Sequence, residues 1–327
     1  MERVMSKSFE KINYSLRVSK AVERKMLCFS FKKLQSFDNI YNYRYIGFGS
    51  TFFQDFILFH RDLGIDKMIS IEDKEDVKSR FEFNKPYNCI DIKYGNSNAV
   101  LPSLEWKEKT ILWLDYDFPL QNNFFSDIST FFLNAISGSV FLITINASSG
   151  SYGNDNEDRK QKFAKNLGED KLPYDIKLID FSPKNITNTL KKIINQEIKK
   201  ILQIRNSVLP QNEKINYAPL YNFLYQDGAL MMTIGGIIYT EDDLSKFQNS
   251  NFKSLDFISE DDFFHIKNPS LTLKEIRLLN SQLPNAINET GDFSNTLIIN
   301  PDIPLQDIIE YAKLYKFFPV FAESFVS

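Results

Sequence analysis

Four short stretches set chemically useful residues at regular intervals along the chain: Gly47-Phe48-Gly49-Ser50-Thr51, Glu72, Gly95-Asn96-Ser97 and Asp115-Tyr116-Asp117. Each follows a short apolar run, "YRYI", "KMISI", "CIDIKY" and "TILWL". Two glycines separated by one residue bare the backbone where a ligand must come close. An acid 23 residues beyond Gly49 suits the paired hydroxyls of a ribose. An amide side chain at Asn96 suits an adenine edge, and Asp115 and Asp117 suit proton removal or acceptor orientation. A dinucleotide fingerprint wants a third glycine at position 52, where this chain has phenylalanine, so NAD and FAD are not expected. Taken singly, each stretch also reads as a turn, a helix cap or a strand-end acid. Together they favour a nucleoside site.

These residues need a scaffold that brings successive strand ends to one edge. The apolar runs recur roughly every 20–30 residues, with helical patterns between them, which is the mark of a doubly wound parallel α/β sheet. Continuous runs such as "ILWLD" and "VFLITI" suit strands covered on both faces. Open sheets of this kind bind ligands at the carboxyl ends of their strands. In "STFFQDFILFHRDLG", Phe52, Phe56, Phe59 and Leu63 fall on one helix face, with Ser50 as a possible cap and Gly64 as the stop. Two β-prone runs flank Asp227-Gly228 as an antiparallel hairpin. The polar stretch "SSGSYGNDNEDRK" reads as a surface loop, and "MMTIGG" as core. The expected divisions are an N-terminal helical segment (1–40), a Rossmann-like domain (41–244) and a small, mostly helical appendage (245–327), where Thr272 and Glu275 form a capping box.

Composition narrows the functional classes. The 327 residues carry a net charge of -3, which opposes whole-surface attraction to nucleic acid. Basic residues nevertheless cluster, seven against one acid in 11–33 and six against one in 184–205, so local contact with nucleic acid stays open. In the first cluster Arg17, Lys20 and Arg24 share a helix face and suit a phosphate or carboxylate of a substrate. The alternative is a solvated face. Two cysteines and two histidines, His60 among them, make neither a disulfide framework nor an evident metal centre. Asp115, Asp117 and Asn146 lack the further carboxylate a magnesium site wants, so no metal is expected. No apolar run reaches the roughly 18 residues of a membrane span, and the first residues lack a signal-peptide core. A cytoplasmic location is expected.

This order of residues resembles the class I S-adenosylmethionine-dependent methyltransferases over roughly residues 40–148, with the 227–228 hairpin matching their antiparallel strands. "RVSKAVERKML", "YIGFGSTFFQDF", "SIE" and "LWLDYD" together look like bacterial O-methyltransferases. The resemblance implies S-adenosylmethionine as cofactor. Gly47, Phe48, Gly49 and Ser50 would pass its methionine part, Glu72 would hold the ribose, and Asn96 and Ser97 would sit at the adenine. Asp115 and Tyr116 would border the methyl group, with Asp115 or Asp117 catalytic. Thr51 and Asn96 depart from the commoner glycine and aspartate of that pattern, and "DYDFP" is not the tetrad of enzymes that methylate amino groups of nucleic acids. Methyl transfer to an oxygen or nitrogen of an unidentified acceptor is the leading expectation. A non-catalytic binding or scaffold module with a protein partner is the alternative, and a nucleic-acid-directed methyltransferase a further one.

Overall fold

The computed structural model describes residues 17–285 and 302–319. Eight strands form one sheet in the order β3-β2-β1-β4-β5-β7-β6-β8. The strands are β1 (Arg44–Gly47), β2 (Lys67–Glu72), β3 (Ile90–Tyr94), β4 (Thr110–Asp115), β5 (Val140–Asn146), β6 (Ile215–Gln226), β7 (Leu230–Thr240) and β8 (Phe264–Ile266). The first five run parallel, and β7 runs antiparallel between β5 and β6. Parallel strands completed by an antiparallel hairpin are the arrangement expected from the sequence.

The helices are α1 (Val18–Phe31), α2 (Gln54–Leu63), α3 (Lys78–Asn84), α4 (Ser97–Ser103), α5 (Phe124–Asn134), α6 (Asn156–Leu167), α7 (Ile186–Asn206), α8 (Leu244–Ser250), α9 (Leu273–Asn280) and α10 (Leu305–Leu314). They form a layer on each side of the sheet. Alternate strand residues feed two separate cores, because side chains along a strand point to opposite faces. Tyr45, Trp113 and Leu142 pack with α1 and α2, while Ile46, Leu112, Leu114 and Phe141 pack with α5 and α7. Burial on both faces explains why these strands read as unbroken apolar runs.

The glycine pair of "MMTIGG" has a specific reason. A Cβ at Gly235 would strike the Phe141 carbonyl oxygen of β5, and one at Gly236 the Ala218 carbonyl oxygen of β6. Only glycine lets β7 lie this close to both neighbours, beside the register shift between Pro219 and Tyr221.

Three local features differ from the sequence reading. Helix α2 starts at Gln54, and Ser50 does not cap it. Ser50 (φ 50°) and Phe53 (φ 47°) both take left-handed backbone, which adds a turn before the helix. Phe53 rather than Phe52 then fills the core, packing edge-on against Phe56. The polar stretch after Ser148 contains α6, started by the Asp155 carboxylate, which accepts from the Asp158 amide at 2.9 Å. Beyond 245 the chain adds β8 alongside β6, and Phe252, Leu255 and Phe257 join the α1–α2 core. Farther on, Leu279, Ile303, Ile308 and Tyr311 form a small core of their own. The capping box at Thr272 and Glu275 is present. Among the described residues no helix is long and apolar enough to cross a membrane.

Candidate functional site

The carboxyl ends of β1, β2 and β4 lie side by side at the centre of the sheet. The loop leaving β1 is held from below by β2. Ser70 accepts from the Gly49 amide at 3.0 Å and donates to Glu72 Oε1 at 2.8 Å. The loop amides of Gly49 and Ser50 lie close enough to the Glu72 carboxylate to favour its charged form. Glu72 is 6% exposed, and this burial raises its pKa from 4.5 to about 7 against the opposing pull of the Ser70 hydroxyl and the loop amides. A Cβ at Gly49 would lie 2.5 Å from the Phe53 ring and 2.6 Å from Ser70 Oγ. Glycine is therefore required at 49 by close approach, with Gly47 and Phe48 leading into it.

At the next strand ends, Asn96 is exposed and caps α4, accepting from the Asn98 amide at 2.9 Å. Ser97 turns inward and donates to Asp127 Oδ2 at 2.5 Å, and Asn98 donates to Oδ1 at 2.6 Å. The Tyr116 hydroxyl also donates to Asp127. Tyr116 stacks on Phe124 at 3.7 Å and meets the Phe48 ring at 5.2 Å. Ser97 and Tyr116 are thereby joined to the β1 loop through one aromatic wall. Burial raises the pKa of Asp127 and, helped by Asp127, that of Tyr116. Asp127 sits within "FFSDISTFF" of α5, where an acid among phenylalanines was the available signal for a buried hydrogen-bonding role.

Asp115 ends β4 and is met by α1. Lys20 Nζ lies 2.7 Å from Asp115 Oδ1 and 2.7 Å from Glu23 Oε2, and 4.3 Å from the centre of the Trp113 ring. Lys20 is 2% exposed and Glu23 fully buried. Burial raises the Glu23 pKa while the Lys20 ammonium opposes it. Arg17 faces Asp117 at 3.7 Å. Arg24 is buried beside Asp55, whose carboxylate accepts from the Tyr45 hydroxyl; burial raises the Asp55 pKa, and Arg24 opposes the rise. The three cations thus face acids, Asp117 for Arg17, Asp115 and Glu23 for Lys20, and Asp55 of α2 for Arg24. Asp227, in the β6–β7 turn, fixes this helix by accepting from the Ser19 and Lys20 amides at 3.1 and 2.9 Å.

The second basic cluster lies on α7. Lys191 donates to the Glu260 and Asp261 carbonyls, Lys192 pairs with Asp175, Lys200 donates to the Asp170 carbonyl, and Arg205 donates to the Phe132 and Ala135 carbonyls. A shallow hollow of about 450 Å³ is lined by Asn188, Lys191, Lys192, Asn195, Gln196 and Lys199 of this helix, none of them at a strand end.

The family described as "Putative O-methyltransferase" matches residues 12–326. The chain belongs to that family. No curated protein matches it in sequence. Among solved structures it is similar to Trm1 from Pyrococcus horikoshii in complex with S-adenosyl-L-methionine, at 11% identity over 73% of this chain and 60% of that one, with a TM-score of 0.41. It is also similar to human N-acetylserotonin methyltransferase in complex with SAM, at 11% identity over 68% and 56%, with a TM-score of 0.35. The chain spans less than two thirds of either protein's length.

Proposed function

We propose that the chain is an S-adenosylmethionine-dependent methyltransferase that delivers the methyl group to an oxygen of its acceptor. The observation carrying this reading is the buried Glu72 carboxylate against the Gly49–Ser50 backbone, beside the Asp115 strand end. These residues fit the cofactor. Gly49 lets the loop pack down on Phe53 and Ser70, and a carboxylate offers about four lone-pair directions, so Glu72 can accept ribose hydroxyls besides the Ser70 hydroxyl. Asn96 spends its side-chain oxygen on the α4 cap and keeps its NH2 for an adenine edge, with the Phe48–Tyr116 wall beside it.

When bound, the cofactor supplies an electrophilic methyl on a sulfonium. The chain's own work is to align an acceptor oxygen with that methyl, exclude water and remove the acceptor's proton. Asp115 is the group we assign to the proton. Lys20 holds its Oδ1 and so aims Oδ2, and Asp117, fixed by Arg17, lies two residues on. With the methyl donor bound, the Asp115 carboxylate would take the acceptor's proton as the acceptor oxygen receives the methyl group. Four of the α7 cations are engaged by the protein itself, so nucleic acid is not the acceptor we propose.

Calorimetric titration with S-adenosylmethionine and S-adenosylhomocysteine tests the reading. One equivalent should bind, and Glu72→Ala should weaken binding at least tenfold, while Asp115→Asn should leave it within a few fold. Absence of heat from both ligands with wild-type protein would sink the enzyme reading and leave the non-catalytic module.

A further inference from the structure

The opposite end of the sheet carries a second constellation. His60 lies in the last turn of α2, Asp66 immediately precedes β2, and Cys89 immediately precedes β3. All three therefore gather at the amino ends of β2 and β3, away from the strand ends described above. His60 Nδ1 lies 3.0 Å from Asp66 Oδ1 and 3.7 Å from Cys89 Sγ. One ligand atom from each residue lies within 4.8 Å of the other two.

Those separations can be set against metal geometry. Tetrahedral zinc, with bonds of about 2.3 Å to sulfur and about 2.0–2.2 Å to nitrogen and oxygen, separates sulfur from nitrogen by about 3.6 Å and nitrogen from oxygen by about 3.4 Å. The two measured edges fall within about 0.4 Å of these values. The third edge can be closed by Asp66 alone, whose side chain is 72% exposed and free to rotate. The Tyr87 ring, 4.3 Å from the His60 ring, holds the imidazole in place. A thiolate, an imidazole and a carboxylate are the donors of a borderline-soft divalent ion rather than of magnesium or calcium.

We propose that His60, Asp66 and Cys89 form a zinc site, with water in the fourth position. On binding, the Cys89 thiol releases its proton to solvent. His60 Nδ1, which faces the Ile65 carbonyl oxygen at 3.1 Å, gives its lone pair to the metal while its proton moves to Nε2. The ion joins the end of α2 to the starts of β2 and β3, so its role is to brace the scaffold rather than to take part in transfer. The chain's other cysteine, Cys28, is buried, with its thiol pushed up to about 12, and does not compete.

The test uses the full chain stripped with a chelator and titrated with cobalt(II), then zinc. One equivalent of cobalt should give a thiolate charge-transfer band in the near ultraviolet and tetrahedral bands in the visible, both abolished by zinc. Cys89→Ser should remove the charge-transfer band, and Cys28→Ser should leave it. Asp66→Asn, at an exposed position that leaves the fold intact, should weaken cobalt at least tenfold. A wild-type protein without a saturable one-equivalent signal overturns the site. So does a charge-transfer band that survives in Cys89→Ser, or an Asp66→Asn protein that binds as wild type.

Discussion

Replacing Glu72 by glutamine isolates the energetic cost of the buried carboxyl under the glycine loop. The folded-state pKa is raised from 4.5 to about 7 by burial, whereas the unfolded chain titrates near the ordinary value. Between those two pH values the folded protein holds a proton that the unfolded chain has released. Stability therefore falls as pH rises through this window, and the loss is complete above it. At 1.36 kcal/mol per pKa unit the group costs about 3 kcal/mol at pH 8 relative to pH 4. Glutamine keeps a carbonyl oxygen for the loop amides and has no proton to lose. Glu72→Gln should thus lie within about 1 kcal/mol of wild type near pH 5 and exceed it by about 3 kcal/mol at pH 8. Urea unfolding followed by fluorescence reads this directly, because Trp106 and Trp113 are both buried. A gap between variant and wild type that is the same at both pH values would refute the reasoning.

Two other changes probe the same end of the sheet. Gly49→Ala puts a methyl against the Phe53 ring and Ser70; it should cost about 1–3 kcal/mol in urea and weaken S-adenosylmethionine at least tenfold by calorimetry, and unchanged binding would count against the loop as a cofactor cradle. Lys20→Met leaves Glu23 and Asp115 facing each other without their shared ammonium and should cost about 3–5 kcal/mol. Adding Glu23→Gln should recover part of that loss in a double-mutant cycle, and full additivity would mean the pair is not coupled.

The sheet was legible because its central strands are covered on both faces, which gives the apolar stretches at 111–114 and 140–145. Glu72, Ser97, Asp115 and Tyr116 drew attention because each lies at or just beyond the carboxyl end of a strand. The inward turn of Lys20 could not. A cation row at i, i+3, i+7 looks the same whether it meets water, a ligand or acids, and here the deciding acid is 95 residues away. Asp127 was passed over because one acid in an amphipathic helix ordinarily faces solvent, although the phenylalanines around it mark a buried stretch. The late start of α2 escaped because left-handed backbone at Ser50 and Phe53 is uncommon outside glycine, asparagine and aspartate. The gathering of His60, Asp66 and Cys89 depends on the β2–β3 pairing, which spacing alone does not reveal.

The cap that Asp227 places on α1 spans 207 residues of sequence to Lys20, and this separation bears on how the protein is made. Helix α1 emerges from the ribosome well before the β6–β7 turn, yet its amino end waits for that turn. At about 5–20 residues per second that wait is about 10–40 s. For the first 95 residues of that interval Lys20 has neither partner, and for the rest it has Asp115 but not its anchor. The strand-end site is therefore completed only when the hairpin closes, late in synthesis.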